Sequence, residues 1–242
     1  MDRMTSSPGP SSPDALDARL AAVEARIAAA CADAGRARED VHLVVVTKFF
    51  PRSDLDLLVE LGITDIGENR EQEAAAKLAD GGVPSGVRAH YIGQLQSKKA
   101  NAVTRWADVI QSVDRPKIVA ALDRGAAAAG REVTALIQVN LDERAGAHRG
   151  GASPAEVPAL AEQVAASDSL RLGGLMAVAP LDADPDPAFA RLAGLAEDLR
   201  AAHPEADWIS AGMSGDLESA VRHGATHLRV GTAILGTRPS HR

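Results

Sequence analysis

Short, mostly apolar segments rich in β-branched residues alternate with amphipathic segments along the chain, and this alternation constrains the fold more than any other feature. The strand candidates are residues 41–46, 63–66, 88–92, 109–112, 133–140, 172–178, 207–210 and 226–230. Helical patterns separate them near residues 54–61, 71–79, 95–106, 116–129, 154–166, 188–202 and 216–223. Because a return to the same strand direction requires a crossover of about a dozen residues, this order predicts a parallel sheet.

Several of these boundaries carry capping residues. Ser12 and Pro13 suit the N-cap and first position of a long helix that runs to about residue 34, and Gly35 follows it. Ser153 and Glu156 match a capping box, in which each side chain accepts a hydrogen bond from an N–H group at the helix start. Glycines also stand where three helices should end, at positions 62, 130 and 224.

Eight strand-and-helix units predict a single (β/α)8 TIM barrel over residues 14–242. An open doubly wound sheet is the alternative, but the segment Val46–Pro51 after the first strand lacks the glycine-rich turn usual in that fold. Only 11 residues follow Gly231, too few for a normal eighth helix. We therefore expect the extra N-terminal helix to cover the wall after strand eight, and residues 1–13 to form a disordered tail.

The composition restricts the partners of this chain. Its 242 residues carry a formal net charge of −7, and no Lys and Arg run exceeds Lys98–Lys99, which argues against nucleic acid or a membrane surface as partner. No apolar segment approaches the roughly 20 residues of a membrane span. The lone Cys31 and the seven scattered histidines favour a reducing cytoplasm and offer no metal-ligand spacing.

Lys48 is the foremost candidate for chemistry. It follows the apolar run Leu43–Val46, where the mouth of a barrel would lie. Partial burial there could lower its pKa and expose a neutral amine able to form a Schiff base with an aldehyde or ketone. A lysine that merely extends its charge into solvent from a strand end is the alternative.

Two glycine-containing segments near the C-terminus suggest a phosphate site. Residues 210–216 follow strand seven and open a helix, and Gly231-Thr232 follows strand eight. Helix N-termini offer free N–H groups to anions, and the loops after strands seven and eight are the usual phosphate site of this barrel. A capped helix and two tight turns are the structural alternative.

Three polar residues lie on or next to strand candidates. Arg229 interrupts an otherwise apolar strand, on the face opposite Leu228, so it requires either a core carboxylate or a ligand as partner. Asn69 follows strand two, and His90 lies within strand three. Each of these two alone is typical of a hydrogen-bonded structural residue, although both could face the same barrel mouth.

Together these segments resemble the pyridoxal phosphate homeostasis protein family, in the same order and over residues 14 to 236. The segments that carry the resemblance are Val46-Thr47-Lys48, Ile66-Gly67-Glu68-Asn69, His90 to Gln96, Gly174-Leu175-Met176, Gly212-Met213-Ser214 and Arg229 to Gly236. The resemblance implies an alanine-racemase-like barrel without the racemase's second domain. It also implies pyridoxal 5′-phosphate (PLP) held as a Schiff base, a role in vitamin B6 balance and no enzymatic turnover.

The same resemblance assigns roles to individual residues. Lys48 matches the lysine that holds PLP, and Arg229 the arginine that faces the pyridine nitrogen. Asn69 and His90 match residues that line the cofactor pocket. The phosphate-binding segments are matched by Ser210, Met213, Ser214, Gly231 and Thr232.

Three functions follow as hypotheses. The first is a monomeric, cytoplasmic PLP-binding protein that delivers the cofactor to apo-enzymes. The second is a PLP-dependent amino-acid racemase, which needs a second acid or base opposite the lysine, whereas the chain has one tyrosine, Tyr91. The third is a class I aldolase that uses Lys48 without a cofactor.

Overall fold

The computed structural model describes residues 12–142, 150–180 and 183–236, and its strands form a closed parallel barrel in chain order. The first strand closes the barrel on the last through the pairs His42↔His227 to Val45↔Val230. This confirms the predicted (β/α)8 barrel. The strands are β1 (His42–Val46), β2 (Asp65–Glu68), β3 (Arg88–Tyr91), β4 (Val109–Val113), β5 (Val133–Val139), β6 (Leu170–Ala177), β7 (Trp208–Ser210) and β8 (His227–Val230).

Helices follow the strands on the outside of the barrel. Those in the described ranges are α1 (Pro13–Asp33), α2 (Arg52–Glu60), α3 (Glu71–Lys77), α4 (Ala100–Val103), α5 (Pro116–Ala129), α6 (Val157–Ala165), α7 (Asp186–Ala202), α8 (Leu217–Arg222) and α9 (Thr232–Leu235). The Ser12 hydroxyl accepts a hydrogen bond from the N–H of Ala15, and Ser153 and Glu156 form the predicted capping box. None of these helices, within the described ranges, is long and apolar enough to cross a membrane.

The N-terminal helix covers the wall next to β8, as predicted. The Arg19 side chain donates to the carbonyl of Ile234 in the four-residue helix α9 at 2.5 Å. Beyond the end of α1, Arg36 donates to the carbonyls of Val221 and Ala225 at 2.9 and 2.8 Å. Residues 1–11 of the expected tail lie outside the described residues, while Ser12 and Pro13 already form the start of α1.

Several predicted boundaries were wrong, among them those of one helix and of β2. A helix was expected over residues 95–106, but only a 3-10 turn, Ser97–Lys99, and the single turn α4 form there. Leu95 is instead buried in an irregular segment, held by a hydrogen bond from Arg115 to its carbonyl. Strand β2 begins at Asp65 rather than residue 63, and it continues to Glu68, whose buried carboxylate pairs with Lys77 of α3.

The inside of the barrel is apolar on one side and polar on the other. Val109, Leu136 and Met176, from β4 to β6, form a small inner apolar cluster separate from the main core between sheet and helices. At the amino end of the strands, His227 stacks on His42 and Trp208, with ring centroids 4.8 and 4.2 Å away. His90, Gln111, Ser210 and Arg229 are polar inward positions, next to the inward valines Val44 and Val46, and these polar residues form the base of the site described below.

Candidate functional site

Lys48 lies just beyond β1, at the carboxyl end of the barrel, with its side chain partly exposed. Its ammonium nitrogen is 5.8 Å from the centroid of the Phe49 ring. Within the described residues this ammonium forms neither an ion pair nor a hydrogen bond. The amine is therefore available to a ligand at the barrel mouth.

Asn69 flanks the Lys48 segment on the next strand. The pairing Val46↔Gly67 places the two strand ends side by side. The Asn69 side-chain oxygen is buried and has no hydrogen-bond partner among the described residues. Gly93, after β3, packs so closely that a Cβ there would lie 2.2 Å from the Asn69 carbonyl oxygen, so only glycine fits. Asn69 thus brings an unused hydrogen-bonding oxygen to the site.

The turn after β7 presents free N–H groups. Gly212 adopts a φ of +91°, which brings the turn onto α8, and the Met213 N–H donates to the Asp216 carboxylate at 2.6 Å. The N–H groups of Ser214 and Gly215 make no hydrogen bond to the described residues. Arg26 of α1 holds the turn from outside by donating to the Ser214 carbonyl at 3.1 Å.

The segment after β8 lies on the other side of Lys48. Strand β8 pairs with β1, and a Cβ on Gly231 would lie 3.1 Å from the carbonyl oxygen of Val46. The N–H groups of Thr232 and Ala233 likewise have no partner among the described residues. Two sets of free amides therefore frame the same end of the barrel as Lys48, and oxyanions are the ligands such groups bind.

A chain of hydrogen bonds crosses the barrel interior below the mouth. The Arg229 guanidinium donates to the Ser210 hydroxyl at 2.7 Å, and that hydroxyl donates to the Gln111 carbonyl oxygen at 2.7 Å. The Gln111 amide nitrogen lies 2.8 Å from His90 Nδ1, and His90 Nε2 lies 2.9 Å from the Asp65 carboxylate. Each group donates to the next, so the chain runs from a buried cation to a buried anion.

The direction of this chain determines the protonation of its members. Because the Gln111 amide donates to Nδ1, His90 carries its proton on Nε2 and is neutral. Burial lowers the pKa of His90, and the hydrogen bond that His90 donates to Asp65 only partly offsets this. Burial also raises the pKa of Asp65, but hydrogen bonds from His90 and Arg88 outweigh burial and hold that pKa well below its usual range.

Arg229 remains a cation in this setting. Burial lowers the pKa of its guanidinium to about 10, and the Asp216 charge acts in the opposite direction. It is therefore protonated at neutral pH. Its other contact is a hydrogen bond to the carbonyl of Ala177 at 2.8 Å, and no carboxylate of the described residues forms an ion pair with it.

The structure divides the predicted site residues into two groups. Six follow strand ends at the barrel mouth: Lys48, Asn69, Met213, Ser214, Gly231 and Thr232. Ser210, Arg229 and His90 are buried inside the barrel. Both ring nitrogens of His90 are engaged by protein groups, so it offers a ligand no hydrogen bond. The Ser210 hydroxyl is likewise engaged by Arg229 and Gln111.

Sequence reasoning missed Gln111, which joins the two halves of the polar chain. The available signal was a lone amide at an inward position of the apolar strand β4. It also missed the ion pair between Lys77 and Glu68, whose members come from two different elements. Within the described residues, no group of three or more His, Cys, Asp or Glu side chains is placed to hold a metal ion.

This barrel belongs to a known class. The sequence model of the alanine racemase N-terminal domain family matches residues 19–239, and the chain belongs to that family. Pyridoxal phosphate homeostasis proteins of Mycobacterium tuberculosis and Corynebacterium glutamicum are 44% and 43% identical to it over 90% of this chain, covering 91% and 99% of theirs. Within the class, therefore, the chain is a member of the pyridoxal phosphate homeostasis protein family.

Solved structures agree with this assignment. PipY of Synechococcus elongatus, in a structure with PLP bound, has a TM-score of 0.77 and 31% identity, covering 91% of this chain and all of its own. Alanine racemase of Corynebacterium glutamicum matches with a TM-score of 0.69 at 17% identity, and 63% of that longer chain is covered. The second likeness is one of fold.

Proposed function

We propose that this protein binds PLP through Lys48 and acts in intracellular PLP homeostasis, as a cytoplasmic monomer without catalytic turnover. The observation that carries the proposal is the meeting of an unpaired lysine amine with two sets of free amides at one end of the barrel. A relative with the same fold, PipY, has been solved with PLP bound.

The available groups fit the functional groups of PLP. When bound, PLP supplies an aldehyde that forms a reversible Schiff base with a lysine amine. Lys48 provides that amine, and the N–H groups of Ser214, Gly215, Thr232 and Ala233 provide donors for a phosphate. The buried oxygen of Asn69, which has no partner among the described residues, offers a polar contact at the same edge.

Arg229 argues for binding rather than catalysis. Its guanidinium is protonated at neutral pH and can only donate hydrogen bonds. In the position that the family resemblance implies, opposite the pyridine nitrogen, such a donor would keep that nitrogen from taking up a proton and would weaken the ring as an electron sink. Carbanion chemistry would be handicapped, whereas storage and transfer of the cofactor would not.

The position of Tyr91 argues against a racemase. It is the single tyrosine of the chain. Its neighbour His90 faces the barrel interior, so Tyr91 faces outward, where its ring packs edge-on against Trp106 at 6.1 Å. It therefore does not stand opposite Lys48 as the second acid or base that two-sided proton transfer requires.

Exposure at the mouth supports delivery to apo-enzymes. Thr232 is exposed, and Lys48, Met213 and Ser214 are partly exposed. Another protein or an amino acid can approach the cofactor from this side. The test is transfer: protein loaded with PLP should activate a PLP-requiring apo-enzyme, and a rate equal to that of free PLP released on its own would argue against direct delivery.

The absorption spectrum of the purified protein with PLP tests the binding proposal. We expect a visible band in the wild type and in Lys98→Ala, a control that removes an exposed lysine, but not in Lys48→Ala. An unchanged band in Lys48→Ala would refute the assignment. Steady amino-acid turnover would instead support the racemase, and borohydride trapping of a sugar phosphate on Lys48 without cofactor would support the aldolase.

A further inference from the structure

Three side chains of β2 and α3, the strand and helix that follow in the chain, anchor the residues on either side of Lys48. Lys77 of α3 donates to the Thr47 carbonyl at 2.7 Å and to the Glu68 carboxylate at 2.5 Å. The Thr47 hydroxyl donates to the same Glu68 oxygen at 2.6 Å. On the other side, the Phe49 N–H donates to the carboxylate of Glu73, also on α3.

The ion pair within this anchor is almost fully buried. The side chains of Lys77 and Glu68 are only 4% and 1% exposed, and the second carboxylate oxygen of Glu68 has no partner among the described residues. Burying such a pair is costly, and apolar side chains of similar volume often serve stability as well or better. Stability alone therefore does not explain why this buried ion pair is present. The fixed directions of its hydrogen bonds do explain it, because they hold the Thr47 backbone in one place.

The backbone at Phe49 needs such support. Phe49 has a φ of +70°, and among the described residues no other residue except glycine has a left-handed backbone. A residue with a Cβ adopts this conformation only when its surroundings hold it there. The Glu73 carboxylate does so directly, and the Arg70 guanidinium covers the Phe49 ring, 4.9 Å from its centroid.

We infer that Lys77, Glu68 and Glu73 are positioning residues for Lys48: they fix the backbone on both sides of it, so that its amine occupies a restricted volume at the barrel mouth. This inference deepens the proposed function and rests on it. None of the three needs to touch the cofactor. Holding a reacting group in place raises the rate and the affinity of its reaction, and a mobile amine would lose both.

Two sets of variants separate positioning from folding. The double variant Lys77→Met/Glu68→Gln removes both buried charges together, so neither is left unpaired. Glu73→Ala removes the acceptor for the Phe49 N–H at a partly exposed site, and Glu73→Gln retains an acceptor. The matched control is Lys99→Met/Glu71→Gln, which removes a 2.6 Å lysine–glutamate pair that does not touch the Lys48 segment.

The readouts are the Kd for PLP, the rate at which borohydride fixes it on the Lys48 peptide, and hydrogen exchange of the Phe49 amide in cofactor-free protein. We expect the double variant and Glu73→Ala to unfold at the same urea concentration as the wild type. Their Kd for PLP should be about tenfold higher, and borohydride should fix PLP on the Lys48 peptide more slowly than in the wild type. Phe49 exchange should accelerate about tenfold in Glu73→Ala. Glu73→Gln and the control pair should resemble the wild type.

Wild-type PLP binding in the folded double variant and in Glu73→Ala would overturn the inference. So would weaker binding in Glu73→Ala with unchanged Phe49 exchange. If the wild type itself fixes no PLP on Lys48, the proposed function fails instead. Hydrogen exchange of the Phe49 amide in the cofactor-free variants would then still decide whether these side chains hold the backbone next to Lys48.

Discussion

Replacing Gln111 by leucine should break the polar chain at its centre. Gln111 is fully buried, and both ends of its amide are used. Its oxygen accepts from Ser210 at 2.7 Å and its nitrogen faces His90 Nδ1 at 2.8 Å. Leucine has a similar volume, so the substitution removes hydrogen bonds with little change in packing.

The expected cost follows from the two groups left without a partner. The Ser210 hydroxyl loses its acceptor and His90 Nδ1 loses its donor, both out of reach of bulk water. A buried polar group deprived of its partner costs about 1–3 kcal/mol. The variant should therefore lose about 2–6 kcal/mol, a large share of the roughly 5–15 kcal/mol that stabilises a typical domain.

Urea unfolding of cofactor-free protein, followed by circular dichroism, measures this loss. The matched control is Gln138→Leu on the neighbouring strand, where a partly exposed amide makes a single 3.0 Å hydrogen bond to the Gly150 carbonyl. We expect the control to lose about 1 kcal/mol or less. If Gln111→Leu cost no more than Gln138→Leu, the account of a continuous chain would be wrong.

Two further predictions concern His227, at the amino end of the barrel strands, and the turn after β7. Burial is the main cause that lowers the pKa of His227 from 6.5 to about 2, so the unfolded chain binds a proton there that the folded protein does not. The neutral His227 side chain therefore contributes fully to the free energy of unfolding above pH 6.5, and about 2 kcal/mol of this contribution is lost at pH 5. In urea unfolding at pH 7 and pH 5, the free energy of unfolding of His227→Gln should fall by about 2 kcal/mol less than that of the wild type. Arg26→Ala releases the Ser214 carbonyl and should raise the Kd for PLP about fivefold. Arg200→Ala, at an exposed site, is the control and should leave this Kd unchanged. Equal Kd values for the two variants in PLP titrations would contradict the prediction.

Much of the fold was predictable because its signals are local. The alternation of strand and helix patterns predicted the barrel, and the short chain after Gly231 predicted the covering role of α1. The glycines at 62, 130 and 224 do adopt left-handed conformations next to helix ends. These features depend on a few neighbouring residues each, which is why they can be read without the tertiary structure.

Strand β2 shows where such signals fail. Asp65 lies inside the predicted strand, but Glu68 does not, since acidic side chains are disfavoured in sheets. In the folded chain Asp65 meets Arg88 at 2.8 Å, and Glu68 meets Lys77 at 2.5 Å. Their partners lie in other elements, and a tertiary ion pair overrode the local preference.

The sequence by itself determined which residues follow the strands at the barrel mouth. The order of strands gives Lys48, Asn69, the turn after β7 and Gly231-Thr232 a common end, because parallel strands share one direction. Only the tertiary structure decided what holds them. Gln111 and Ser210 are 99 residues apart, and Lys77 reaches the Thr47 carbonyl across 30 residues. No local pattern specifies such pairs, because they depend on how closing the barrel aligns side chains from distant strands.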